Sequence, residues 1–260
     1  MNTGAIKSPK DKRDIQIGKI EISVKLPEEY LPDYSGFSIY YQNGQPACGG
    51  HSGAKAKEIL DYFDTGEIKE YSPRFVYACC KFLDGIPNND GTYLRAIGDA
   101  LKKYGACDMS LYPNDVSLPL EEYKSFNKIT DEMMDNAQER IISAYAFTGT
   151  CWEDIKQAIY KHKVVILLVV PFLQGYSDGH FVVATGWDNQ NRIRYINSFG
   201  KDWQENGWSW LKKDSFQKII EGMTMIDVPN STIKKLTSDI SILRQIVSLY
   251  LKVVDLFKQL

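Results

Sequence analysis

No uninterrupted apolar run in the sequence approaches the ~20 residues needed to span a bilayer, so no membrane-spanning helix is predicted. The first residues, Met1-Asn-Thr-Gly-Ala-Ile-Lys-Ser8, lack the apolar core of a secretory leader. Without such a leader, the glycosylation sequon Asn230-Ser-Thr232 is discounted. Histidine is scarce: three residues, scattered, with no His-Glu-x-x-His pair, which argues against a zinc hydrolase and against any metal site. The five cysteines are odd in number and form no Cys-x-x-Cys motif, and Cys79 and Cys80 are neighbours that rarely bridge. A disulfide framework is therefore not expected, and a reducing, cytoplasmic location is. Excess charge is missing too: a formal net charge of -2 gives no reason to propose nucleic acid or an anionic membrane as partner. The stretch Gly49-Gly-His51-Ser-Gly-Ala-Lys55 lacks the Gly-Lys-Ser/Thr ending of a phosphate loop, and no strand precedes it.

What is present is an ordinary globular composition, 43% hydrophobic and 25% charged, long enough for one large domain or two lobes around a common core. Residues 1–40, rich in Pro, Lys and Asp, read as an extended arm lying on the body. Helices are predicted from Cys48 to Phe63, from Ser72-Pro73 onward, over Thr92 to Tyr104 and over Asp131 to Tyr145. Ser72 suits a cap, Pro73 a first turn and Gly105 a helix stop. A fifth helix starts at Thr150, with Glu153 completing a capping box. Strands follow at Val164–Val170, Phe181–Thr185, Ile193–Ile196 and Met223–Val228. Helices first and strands later predict an α+β fold of two packed lobes, residues 1–228. Residues 229–260 form a separate segment. There Ile233, Leu236, Ile240, Leu243, Val247, Tyr250, Val254 and Phe257 repeat at three-four spacing, as in a helix that self-associates or packs on a partner helix. Docking on its own body and lying on a membrane are the less favoured readings of that segment.

Cys48 stands where a Gly- and Pro-marked turn becomes a helix, a position that stabilises a thiolate. His180 and Asn197 fall within the ~130–150 residues downstream at which papain-like proteases carry their His and Asn. The chain resembles the papain-like cysteine peptidases, especially their bacterial and phage-type branch, over about residues 9–228. Five blocks carry the resemblance: Gln42-Asn-Gly-Gln-Pro-Ala-Cys48; Ser72-Pro-Arg-Phe-Val-Tyr-Ala-Cys79; Asp90-Gly-Thr-Tyr93 through to Leu111-Tyr-Pro113; Gly179-His180; and Asn197-Ser-Phe-Gly-Lys-Asp-Trp203-Gln-Glu-Asn-Gly207. Each block alone is weak, whereas five in order at the right spacing are specific.

The resemblance implies a papain-like two-lobe fold and hydrolysis of protein or peptide substrates through a thioester acyl-enzyme, with no cofactor. It implies Cys48 as nucleophile, His180 as base and acid, Asn197 as orienter of the imidazole and Gln42 as oxyanion donor. Phe199 takes the place of a family Trp that shields the His–Asn bond, and Trp203 matches an aromatic wall on the leaving-group side. Gly91 and Thr92 would pair with the substrate backbone, with Asp178 also at the substrate. Three positions depart from the family. Gln45 replaces a Cys, so its partner position, Cys79, stays a thiol. Gly49 replaces a Trp, implying a more open cleft. Thr92 replaces a second Gly. With only 47 residues before Cys48, control by a long propeptide is not expected, and the arm is the alternative. His51 is assigned to packing or hydrogen bonding and His162 to a solvated turn. Cys79, Cys107 and Cys151 read as packed apolar residues and Cys80 as partly exposed. A peptidoglycan amidase and a catalytically degenerate binding protein are the rival readings; the Gln42 and Asn197-Ser-Phe-Gly blocks argue against the first, and the intact Gln–Cys–His–Asn set against the second.

Overall fold

The computed structural model describes residues 4–175 and 177–227. The apolar stripe expected over 233–257 lies outside the described residues. Met1–Asp227 forms one compact unit. In chain order its elements are β1 (Ala5–Ile6), α1 (Cys48–Thr65), α2 (Pro73–Leu83), β2 (Thr92–Tyr93), α3 (Leu94–Lys103), α4 (Leu120–Tyr123), α5 (Asp131–Gln138), β3 (Ala144–Thr148), α6 (Trp152–His162), β4 (Val165–Val170), β5 (His180–Trp187), β6 (Ile193–Ile196), β7 (Trp208–Leu211) and β8 (Lys218–Ile226). Two 3-10 turns, Ile17–Lys19 and Phe126–Lys128, complete the described elements.

The sequence pattern explains the layering. A six-stranded antiparallel sheet runs in the order β3-β8-β4-β5-β6-β7. Its central strand β4 is apolar at every position because both faces are covered. Ile166 and Leu168 point with Phe181, Val183 and Met223 into a core shared with Ile59, Val76 and Ile97 of the helical lobe. Val165, Leu167 and Val169 point the other way, onto Ile155 and Ile159 of α6. Each such buried aliphatic side chain contributes roughly 1.5–3 kcal/mol.

The α+β, two-lobe architecture matches the expectation, and several boundaries move for identifiable reasons. Ser72 caps α2, its hydroxyl accepting from Phe75 N at 3.1 Å. Gly105 closes the turn after α3 with φ +81°. The expected Asp131–Tyr145 helix stops at Gln138, because Ala144–Thr148 pairs along β8 instead. The cap of α6 is Cys151, not Thr150: its sulfur accepts from Asp154 N at 3.5 Å, leaving Cys151 exposed at the helix start and not packed. Cys80 is fully buried within α2, contrary to its expected partial exposure. His162 ends α6 half-buried, 2.9 Å from Glu21 of the arm, and is not a solvated turn residue. The arm itself lies along the body, with Gln157 bonded to both Val24 N and Val24 O.

Candidate active site

The turn leading into α1 is made by Asn43 and Gly44, both at positive φ, with Gln45 N bonding Gln42 O at 2.9 Å. It delivers Cys48 to the first position of the helix, behind a cap residue, Ala47, that has no side-chain acceptor. Helix-terminal N–H groups are thereby left to act on the sulfur. The backbone N–H groups of Phe181, Gly49 and Cys48 itself favour the thiolate, but burial is the larger influence and pushes the Cys48 thiol up to about 12. One turn on, the Ser52 hydroxyl donates to Phe181 O at 3.0 Å and fixes α1 against the start of β5.

His180 is the first residue of β5 and fully buried. Its Nε2 lies 2.7 Å from Asn197 Oδ1, at the end of β6. An amide oxygen accepts, so Nε2 carries the proton and Nδ1 is the bare nitrogen. Nδ1 is buried with no hydrogen-bond partner. Ser198 N also donates to Asn197 Oδ1 at 2.7 Å, which fixes the amide's orientation. Phe172 and Phe199 pack on the imidazole with ring centroids at 4.4 and 4.7 Å, and Trp203 stacks on Phe172. Burial pulls His180 down to about 3, against the opposing pull of Asn197 and reinforced by His51. Thiol and imidazole are thus both neutral in this arrangement.

Gln42 is tied to the same loop. Its N donates to Ser198 O at 2.9 Å, its Oε1 accepts from the Ser198 hydroxyl at 2.6 Å, and its Nε2 donates to Gln45 O at 2.7 Å. His51 is buried: Nδ1 bonds Ala47 O at 2.9 Å and Nε2 accepts from Asn114 at 3.2 Å, so burial pulls it down to about 4 and its expected packing role holds. Asp178 is exposed; its carbonyl accepts from Phe172 N at 3.0 Å, which seats Phe172 beside His180. Phe172 and Ser198 are the site neighbours that sequence reasoning passed over. Ser198 sat unassigned within a quoted block, whereas Phe172 carries no local signal.

The edge expected to receive substrate, Gly91 and Thr92, is occupied by the chain's own arm. Ala5 pairs with Thr92 in a parallel bridge and with Gly179, next to His180, in an antiparallel one. Thr92 N donates to Gly4 O at 2.8 Å. Gly4 adopts φ +85° so close to the turn before Cys48 that an added Cβ would lie 1.8 Å from Pro46 O. Further along, Ser8 bonds Glu221 through N and Oγ at 3.1 and 2.9 Å, and Asp14 pairs with Arg95. Pairing of β1 with β2 also explains why α3 begins at Leu94 and not at Thr92.

Gly49 does not open the cleft. A Cβ there would meet Thr92 Cγ2 at 2.5 Å, so the Thr92 methyl fills the space that the missing side chain leaves. Gly49 and Thr92 are therefore one packing decision. Gly49→Ala should cost about 1–3 kcal/mol and lower the melting temperature by several degrees. Adding Thr92→Ser, which deletes that methyl, should restore most of the loss; a thermal melt of both variants checks this.

Outside the cleft, Asp61, Asp64 and Asp227 cluster at the far end of α1, with Lys57 paired to Asp61 and Asp227. The ammonium already supplies the cation there.

A scan against protein-family models finds none that matches, and a search of curated proteins finds no relative. Among solved structures, xylellain, a cysteine protease from Xylella fastidiosa, superposes with a TM-score of 0.72 at 18% identity, covering 88% of this chain and 97% of that one. The fold is papain-like. Two further structures share the papain-like fold: the Carica candamarcensis cysteine protease CMS1MS2 in complex with E-64 (TM-score 0.60, 16% identity, 78% of this chain and 100% of that one) and the ragweed pollen cysteine protease Amb a 11 in its proform (0.59, 17%, 79% and 66%). In papain-like terms, β3 to β8 make the sheet lobe and α1 to α3 the helical lobe, with β1 across the cleft between them.

Proposed function

We propose that this chain is a cysteine peptidase whose cleft is closed by residues 4–6 in the form described. The observation that carries the reading is the buried His180–Asn197 pair. Its bare Nδ1 sits on the strand whose next residue, Phe181, donates its N–H to the Cys48 sulfur.

In the reaction, Cys48 gives its proton to His180 Nδ1 and the sulfur attacks the peptide carbonyl carbon. The oxyanion forms against Cys48 N–H and the Gln42 amide once the latter turns from Gln45 O. Collapse of the tetrahedral adduct breaks the C–N bond, and the imidazolium returns the proton to the leaving amine. Water, deprotonated by the same nitrogen, then releases the acid from the thioester and restores the thiol. Asn197 holds the imidazole in the tautomer that keeps Nδ1 on the reacting side.

The test is an epoxysuccinyl thiol-protease inhibitor applied under reducing conditions to a variant with the arm displaced, with the adduct mapped by mass spectrometry. Alkylation of Cys48 that disappears in His180→Ala, together with hydrolysis of casein but not of cell walls, is expected. No adduct at Cys48, or one indifferent to His180→Ala, would sink the proposal.

A further inference from the structure

Beneath the cleft, α1 carries a charged pair where a helix facing a core ordinarily carries apolar residues. Lys55 and Glu58 are ion-paired with side chains 4% and 0% exposed. Burial pulls the Lys55 ammonium down and pushes the Glu58 carboxyl up, so each is the condition for the other's charge. Such a pair rarely stabilises a fold more than well-packed apolar residues would, which leaves its presence to be explained.

What the pair holds is the segment 38–42. Lys55 Nζ donates to Ser38 O at 2.9 Å and lies 4.2 Å from the centre of the Tyr40 ring. The Tyr40 hydroxyl sits between the Glu58 carboxylate and Tyr71 O, 2.7 Å from the latter. Glu58 also accepts from Tyr71 N at 2.9 Å. From this anchor the segment crosses to the loop after β6. Tyr40 O accepts from Gly200 N at 2.9 Å, Tyr41 bridges Phe199, and Gln42 N donates to Ser198 O. The strap therefore joins the helix that carries Cys48 to the loop that carries Asn197, with Gln42 at its end.

We propose that Lys55, Glu58 and Tyr40 are positioning residues that set the Gln42 amide relative to Cys48. This rests on the peptidase reading, and a second readout separates the two. An apolar replacement would fill the space yet leave the strap without a fixed register, because its anchoring contacts are directional hydrogen bonds to Ser38 O and to the Tyr40 hydroxyl.

The experiment uses Tyr40→Phe, which keeps the ring packing, and Lys55→Met, alone and with Gln42→Ala, all in an arm-displaced full-length chain. Misplacing an oxyanion donor, as opposed to deleting it, should lower kcat about tenfold with KM unchanged. In the Gln42→Ala background the same changes should cost less than about twofold, because the group they position is gone. Iodoacetamide labelling of Cys48, which needs no oxyanion donor, should be unaltered. Equal losses with and without Gln42 would overturn the proposal. Amide exchange gives the activity-independent readout: faster exchange at Gln42 and Gly200, with α1 unchanged, is expected. Unchanged exchange at those two amides would overturn the strap whether or not the chain hydrolyses peptides. Altered exchange without hydrolysis in any variant would uphold the strap as an anchor and refute the peptidase reading alone.

Discussion

Gly4→Val raises the rate at which iodoacetamide alkylates Cys48 at pH 7 by about a hundredfold. The position has no room for a side chain: a Cβ would sit 1.8 Å from Pro46 O, and the backbone is at φ +85°. The valine therefore expels residues 4–6, and water reaches Cys48 and His180. With the arm docked, burial holds the thiol near 12, so only about one molecule in 10⁵ carries a thiolate at pH 7. Once hydrated beside His180, the thiol falls to the range of helix-start, His-paired cysteines, and most molecules carry the nucleophile. Unaided opening of the docked arm raises the baseline rate, which is why the expected gain is about a hundredfold and not the full ratio of thiolate fractions. Unaltered alkylation in Gly4→Val would show that the arm does not gate the site.

The same burial predicts the effect of acid on the unmodified chain. His180 is held down to about 3 when docked, against an ordinary value of 6.5. In the undocked form Cys48 has passed its proton to His180, so the pair binds no extra proton until the thiolate is itself protonated, and acid favours release of the arm only below about pH 4. Exchange of the Thr92 amide, which donates to Gly4 O, reports this once corrected for the intrinsic pH dependence.

His180→Ala in the Gly4→Val chain should lower kcat by about 10⁴-fold or more, the scale on which a catalytic triad fails when its base is lost. Asn197→Ala should cost less, because Phe172 and Phe199 still hold the ring. Its loss should appear mainly in kcat, since Asn197 acts on the imidazole and not on the bound peptide. The decisive comparison is between the two variants: equal, small losses would mean that His180 is a buried packing residue. Steady-state hydrolysis of casein or a fluorogenic peptide measures both.

How much of this was legible in the sequence differs by element. Cys48, His180 and Asn197 were picked out by their spacing and by the blocks that resemble papain-like peptidases, since a turn entering a helix, a glycine entering a strand or a strand end is weak evidence alone. Continuous hydrophobicity marked Val164–Val170 as a central strand, and both of its faces are indeed covered. By contrast, Ala144–Thr148 reads equally well as the end of a helix, and only its partner β8 makes it a strand. β7 was missed because Trp208-Ser-Trp-Leu211 is short and finds its register only against β6.

The sequence by itself determined the two-lobe α+β plan and the helix that presents Cys48, because periodicity, caps and turn residues are local properties. Tertiary structure alone decided three things. It put Gly4–Ile6 on the Gly91–Thr92 edge, a pairing between backbones that no side-chain pattern encodes. It filled the gap at Gly49 with the methyl of Thr92, since complementary volumes become visible only when two segments meet. And it buried Lys55 and Glu58 under the strap of Gln42, where desolvation, not residue type, turned two ordinary surface residues into an anchor.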